Sequence, residues 1–108
     1  MRAGLLVTGF ALVLAFSACG GADEAEKDAA IVAAEAAYAK ADADGVDFAR
    51  GPCVAETLSG LDDWVADVAH DPRQPVDDKP ANQCRRYRSG QAHHFVELDL
   101  RGKVIRAK

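Results

Sequence analysis

The stretch HHFVELDLRGKVI, residues 93–105, decides the fold. His94, Val96, Leu98 and Leu100 alternate with His93, Phe95, Glu97 and Asp99, a period of two that belongs to a strand with one face buried. Arg101-Gly102 interrupts the alternation and Lys103 to Ile105 resumes it, so the segment folds back on itself. Arginine does not take positive φ easily, which favours a three-residue loop Leu100-Arg101-Gly102 with the glycine in the left-handed region. That loop sets Asp99 opposite Lys103, Leu98 opposite Val104 and Glu97 opposite Ile105. Towards the N-terminus, Ser89-Gly90 marks another turn, and the residues from Cys84 supply a further strand whose register the sequence leaves open. The expectation is a three-stranded antiparallel meander from Cys84 onward.

Upstream the apolar period becomes helical. Leu58, Leu61, Trp64 or Val65, and Val68 recur at three and four residues, predicting a helix from about Val54 to His70 with Trp64 as the largest core side chain. Ser59-Gly60 interrupts this run, and in the alternative Ser59 caps the helix and Cys53 to Leu58 form an extended lead-in. Asp71-Pro72 stops it. Pro72 to Asn82, with Pro75, Pro80, Asp77 and Asp78, reads as an exposed loop with little to bury. From Ala22 to Asp44 the chain is rich in Ala, Glu, Asp and Lys without Gly or Pro, which predicts a helix over 23–44 ended by Gly45. Ile31, Ala34, Tyr38 and Ala41 share one face, and Asp23 with Lys27 and Lys40 with Asp44 stand four apart. The stripe is thin, so this helix either packs through alanines or stands off as a stalk. The class is therefore α+β, two helices on a three-stranded antiparallel sheet, in a single domain over 23–108.

The opening residues carry a different signal. Arg2 is followed by an uncharged run from Ala3 to Phe16 and by small residues before Cys19, the order of a secretory signal peptide over 1–18. Fourteen residues make roughly 21 Å of helix against a hydrocarbon core of roughly 30 Å, so the run is too short for a permanent span. The junction Phe16-Ser17-Ala18-Cys19 resembles the lipobox of bacterial lipoproteins, with Phe16 where that family most often has Leu. The resemblance implies cleavage before Cys19, acylation of its thiol (palmitate being the expected chain) and a domain held on the outer side of a bacterial membrane. Gly20 and Gly21 in residues 19–22 suit a flexible tether. The closing residues Phe95 to Lys108, with an acidic turn and a Gly102-Lys103-Val104 strand start, resemble the end of PepSY-type domains. That likeness implies a binding or inhibitory module rather than an enzyme.

Residues 19–83 hold 5 basic and 15 acidic side chains, whereas 84–108 hold 7 basic and 2 acidic. Arg86, Arg88 and Arg106 on the basic sheet are thus candidates to meet an anionic envelope partner, while export argues against nucleic acid. With Cys19 lipidated, Cys53 and Cys84 form an even pair in an exported chain, and a disulfide is the economical reading. Only 19 of the residues from Cys19 onward are Val, Ile, Leu, Phe, Trp or Tyr, so a staple contributes where the core is thin.

The alternative is a metal site built from His93 or His94 with His70, the two cysteines being further candidate ligands. Neighbours on a strand face opposite sides, and no Cys-x-x-Cys or His-x-x-x-His spacing exists. Asp42, Asp44 and Asp47 resemble a calcium loop only loosely, since Cys53 stands where the twelfth-position Glu is needed. No nucleophile elbow or phosphate loop occurs, and Asp62-Asp63 and Asp77-Asp78 splay apart. No cofactor is implied. The expected function is a non-enzymatic, envelope-anchored binding or structural module.

Overall fold

Asp23 caps the first helix by accepting a 2.7 Å hydrogen bond from the Glu26 amide, which satisfies one of the free donors at a helix start. Helix α1 then runs Glu24–Ala43 in this computed structural model, which describes Gly4 and residues 23–108. The signal peptide, Cys19 and the tether lie outside the described residues. Lys40 pairs with Asp44 at 3.0 Å, whereas Lys27 pairs with Glu24 because Asp23 is engaged as the cap. The helix packs rather than standing off: Ala30 and Ala34 are fully buried, and Tyr38 stacks on Phe48 and donates from its hydroxyl to the Leu100 carbonyl at 2.8 Å. Among the described residues, no helix is long and apolar enough to cross a membrane.

The sheet beneath α1 has four strands, β1 (Cys53–Ala55), β2 (Trp64–Val68), β3 (His94–Leu98) and β4 (Val104–Ala107), in that spatial order. The outer pairs are antiparallel and the central pair β2/β3 is parallel. This corrects the three-stranded antiparallel expectation at two points. The predicted helix over 54–70 is instead β1, a tight turn and β2. Leu58 and Leu61 bridge across Ser59-Gly60, with Gly60 at φ +74°. Both faces of β2 are covered, so its polar alternation is lost, and apolar residues three and four apart fit either period. The predicted strand starting at Cys84 is a single helical turn, α2 (Arg85–Arg88).

A parallel pair requires a long crossover, here residues 69–93, which include the 3-10 turns Pro75–Asp78 and Pro80–Asn82 and helix α2. The region read as having little to bury in fact buries Asp77, which is 2% exposed. Its carboxylate accepts from the backbone amides of Gln74 and His70 at 2.8 and 3.1 Å. Gly51, at φ +64°, leaves the space that this carboxylate fills. The hairpin β3/β4 keeps the expected Leu98–Val104 pairing, and the Asp99 amide donates to Lys103 O at 2.7 Å. A bulge then places Arg106, not Ile105, opposite Glu97.

Strand alternation divides the core. Trp64, Ala66, Val68, Val96 and Leu98 pack with α1 in one cluster, while Val65, Cys84 and Ala92 form a second with Cys53 and Phe95. Cys53 and Cys84 lie at disulfide distance, with Cα atoms 4.9 Å apart. This staple ties the start of α2 to the edge strand.

Candidate functional site

On the sheet face turned away from α1, a cleft of about 480 Å³ lies between the strands and α2. Strand β2 contributes Val65 and Asp67, β3 contributes Phe95 and Glu97, and β4 contributes Arg106. The crossover adds Arg73, Gln83, Cys84, Tyr87 and Arg88. Tyr87 meets Phe95 edge-on with ring centroids 5.2 Å apart, forming an aromatic wall.

Charge at the floor of this cleft is arranged around Glu97, which is 5% exposed. Arg73 Nη1 donates to Oε2 at 2.8 Å, while Arg106 Nη2 and Nε donate to Oε1 at 3.1 and 3.2 Å. Arg73 also holds Asp78 at 2.7 Å and the Asp77 carbonyl at 3.2 Å. Glu97 is thus clamped between two guanidiniums through charge-assisted hydrogen bonds.

Asp67 is in the opposite situation. It stands directly beside Glu97 in the parallel register, so both side chains leave the same face of the sheet. Its Oδ1 is shielded from solvent and accepts no hydrogen bond among the described residues. Burial raises its pKa first and the Glu97 charge adds to the rise; Arg73 and Arg106 pull the other way, leaving it at about 7. A carboxyl group in a cleft with such a perturbation is a functional-site candidate on physical grounds.

The three arginines proposed from sequence separate into three roles. Arg86 is structural: its guanidinium donates to the Glu56 carbonyl, Thr57 Oγ1 and the Asp62 carbonyl at 2.8, 3.0 and 2.7 Å. The Glu56 carboxylate in turn accepts from the Arg85 and Arg86 amides at 3.0 and 3.1 Å, which is why α2 turns here as a helix. The Arg86 guanidinium is therefore engaged by the scaffold. Arg106 belongs to the clamp on Glu97. Arg88 is exposed at the rim, and its guanidinium meets no carboxylate among the described residues.

The histidines do not assemble as the metal alternative requires. His94 pairs with Trp64 at the start of β2, whereas His70 lies two residues beyond its end, a separation of roughly 20 Å at strand rise. His70 Nδ1 is 3.0 Å from the buried Asp77 carboxylate, whose pKa burial tends to raise but the Gln74 and His70 hydrogen bonds hold below the ordinary value. His93 Nδ1 and His94 Nε2 approach the two oxygens of Asp63 at 2.7 and 3.5 Å, and His94 stacks on Trp64. The His93 hydrogen bond lowers the Asp63 pKa. Among the described residues, Cys53, Glu56 and Cys84 are the one group with closely converging ligand atoms. The two sulfurs are bonded to each other and Glu56 holds α2, so those atoms are already used.

Sequence reasoning named Arg88 and Arg106 but missed Asp67, Arg73 and the part played by Glu97. The available signal was an acid inside each of two apolar runs, Trp64-Val65-Ala66-Asp67-Val68 and Phe95-Val96-Glu97-Leu98. Comparison with protein-family models, curated proteins and solved structures finds no match to this chain.

Proposed function

We propose that this chain is an exported, lipid-anchored binding module, without catalytic activity, that captures an acidic group of a ligand or envelope partner in the cleft between the sheet and α2. The observation that carries the reading is the charge imbalance at the rim. Arg73 and Arg106 are matched by Glu97 and Asp78, whereas Arg88, which lines the same cleft and the adjoining hollow beside Glu56, has no acidic partner among the described residues. An uncommitted guanidinium beside an aromatic wall suits a planar carboxylate, or a phosphate or sulfate group. If Cys19 carries the lipid, residues 19–22 reach at most about 14 Å, so the start of α1 is held close to the membrane surface.

Two substitutions test this. Arg88→Glu abolishes the binding of acetate and sulfate measured by calorimetry, with the circular dichroism spectrum unchanged; wild-type binding that survives the substitution sinks the cleft reading. Cys19→Ser moves the protein from the membrane to the soluble fraction and removes acyl labelling. A wild type that is already soluble and unlabelled sinks the anchor.

A further inference from the structure

We propose that the cleft takes up its acidic ligand together with a proton carried by Asp67, so that capture tightens as the surroundings become more acidic. The inference rests on the reading of the cleft as an anion site and adds its regulation.

The geometry leaves Asp67 with the wrong neighbours for an anion. Its register partner on β3 is the carboxylate Glu97, whose oxygens take up the guanidiniums of Arg73 from the crossover and Arg106 from β4. Asp77, from the turn Pro75–Asp78, adds a further negative charge. From the α2 side the cleft is lined by Tyr87 and Arg88. Asp67 Oδ1 is shielded and has no donor among the described residues. An ionised carboxylate that is half-buried, has one oxygen shielded from water without a donor and lies beside a second carboxylate is disfavoured, and protonation is the change that relieves it. The pKa of about 7 agrees with this arrangement.

An incoming anion adds negative charge to the same cleft and raises the affinity of Asp67 for its proton. By linkage the proton raises the affinity for the anion by the same factor. Asp67 needs no direct contact with the ligand, since its charge acts across the cleft. The limiting case is one proton bound per ligand, with Kd flat below pH 7 and rising by up to about tenfold per pH unit above it.

Full-length protein in detergent micelles is titrated with sulfate and with acetate between pH 6 and 8.5, a window in which both probes hold an essentially constant charge, acetate lying above its carboxyl value of about 4.8. Calorimetry in two buffers of different ionisation enthalpy counts the protons. The expected result is a Kd that rises above pH 7, uptake of up to one proton per anion, and an Asp67→Asn variant that binds at pH 8.5 as tightly as wild type at pH 6. Binding that is independent of pH, or equally pH-dependent in Asp67→Asn, overturns the proton linkage and leaves the anion site standing. Failure of both probes to bind wild type at every pH overturns the anion site and the linkage with it. A carboxyl carbon NMR titration of the ligand-free protein gives a second reading that does not depend on the probes. Asp67 is expected to titrate near 7, and titration near 4 overturns the linkage.

Discussion

The same strands build two faces of opposite character. Towards α1, β2 and β3 present Trp64, Ala66, Val68, Val96 and Leu98, which pack on the buried alanines of the helix. On the other side, one residue out of step, they present Val65, Asp67, Phe95 and Glu97 to a cleft roofed only by α2 and the crossover. The first face removes apolar surface from water and is where stability resides. The second holds a clamped carboxylate, an unsatisfied one and three guanidiniums, an arrangement that adds little stability. The proposed function assigns recognition to this second half of the sheet.

Trp64, with 0% exposure and an indole N–H donating to Glu26 at 2.7 Å, offers the sharpest way to break the comparison. Trp64→Ala is expected to cost about 3–5 kcal/mol in urea unfolding. Tyr87→Ala on the other face, 44% exposed, should cost at most about 1 kcal/mol and act instead on binding. Equal losses from the two would show that the faces do not differ as described.

Breaking the link between Cys53 and Cys84 comes next in size. The closed loop of about 30 residues gives a stabilisation of about 3–4 kcal/mol on the chain-entropy model. Cys84 also lines the cleft and begins α2, so reduction should weaken anion capture as well as lower the melting temperature. Loss of stability with capture intact would place recognition away from α2.

A smaller effect separates the faces by pH. The raised pKa of Asp67 means that the folded state binds more protons than the unfolded between about pH 4 and 7. Its contribution to stability therefore falls as pH rises through that window, and the penalty is complete above 7. Asp77, with a lowered pKa, has the opposite sign: its contribution is present above the ordinary carboxylate value and is lost as pH falls below it. Asp67→Asn should accordingly stabilise the protein by about 1–3 kcal/mol at pH 8, by roughly a third of that at pH 5 and by little below pH 4, as followed by thermal melts. A pH-independent difference would mean that Asp67 is ordinarily solvated.

Helix α1 and the β3/β4 hairpin were legible in the sequence because each announces itself locally, one by an Ala-rich run capped by Asp23, the other by strict alternation around Gly102. The stretch 53–70 was not, because a strand covered on both faces loses the polar alternation that distinguishes it, and Leu58, Leu61, Val65 and Val68 then satisfy helical spacing. Helix α2 was hidden for a different reason. Its four residues are held by the Glu56 carboxylate, some thirty positions away, so no local pattern encodes it. The candidate site was half legible, since exposed arginines declare themselves by charge. Asp67 and Arg73 became significant only when the parallel pairing and the crossover brought them to Glu97, and the bulge that delivers Arg106 depends on tertiary packing.

The most direct test of an anion-binding cleft opposite α1 is NMR mapping of amide and arginine Nε resonances as sulfate is added at pH 6. The account predicts shifts concentrated at Tyr87, Arg88, Phe95 and Arg106, with Ala30, Ala34 and Trp64 unmoved. Shifts gathered on the α1 side, or none at saturating sulfate, would contradict it.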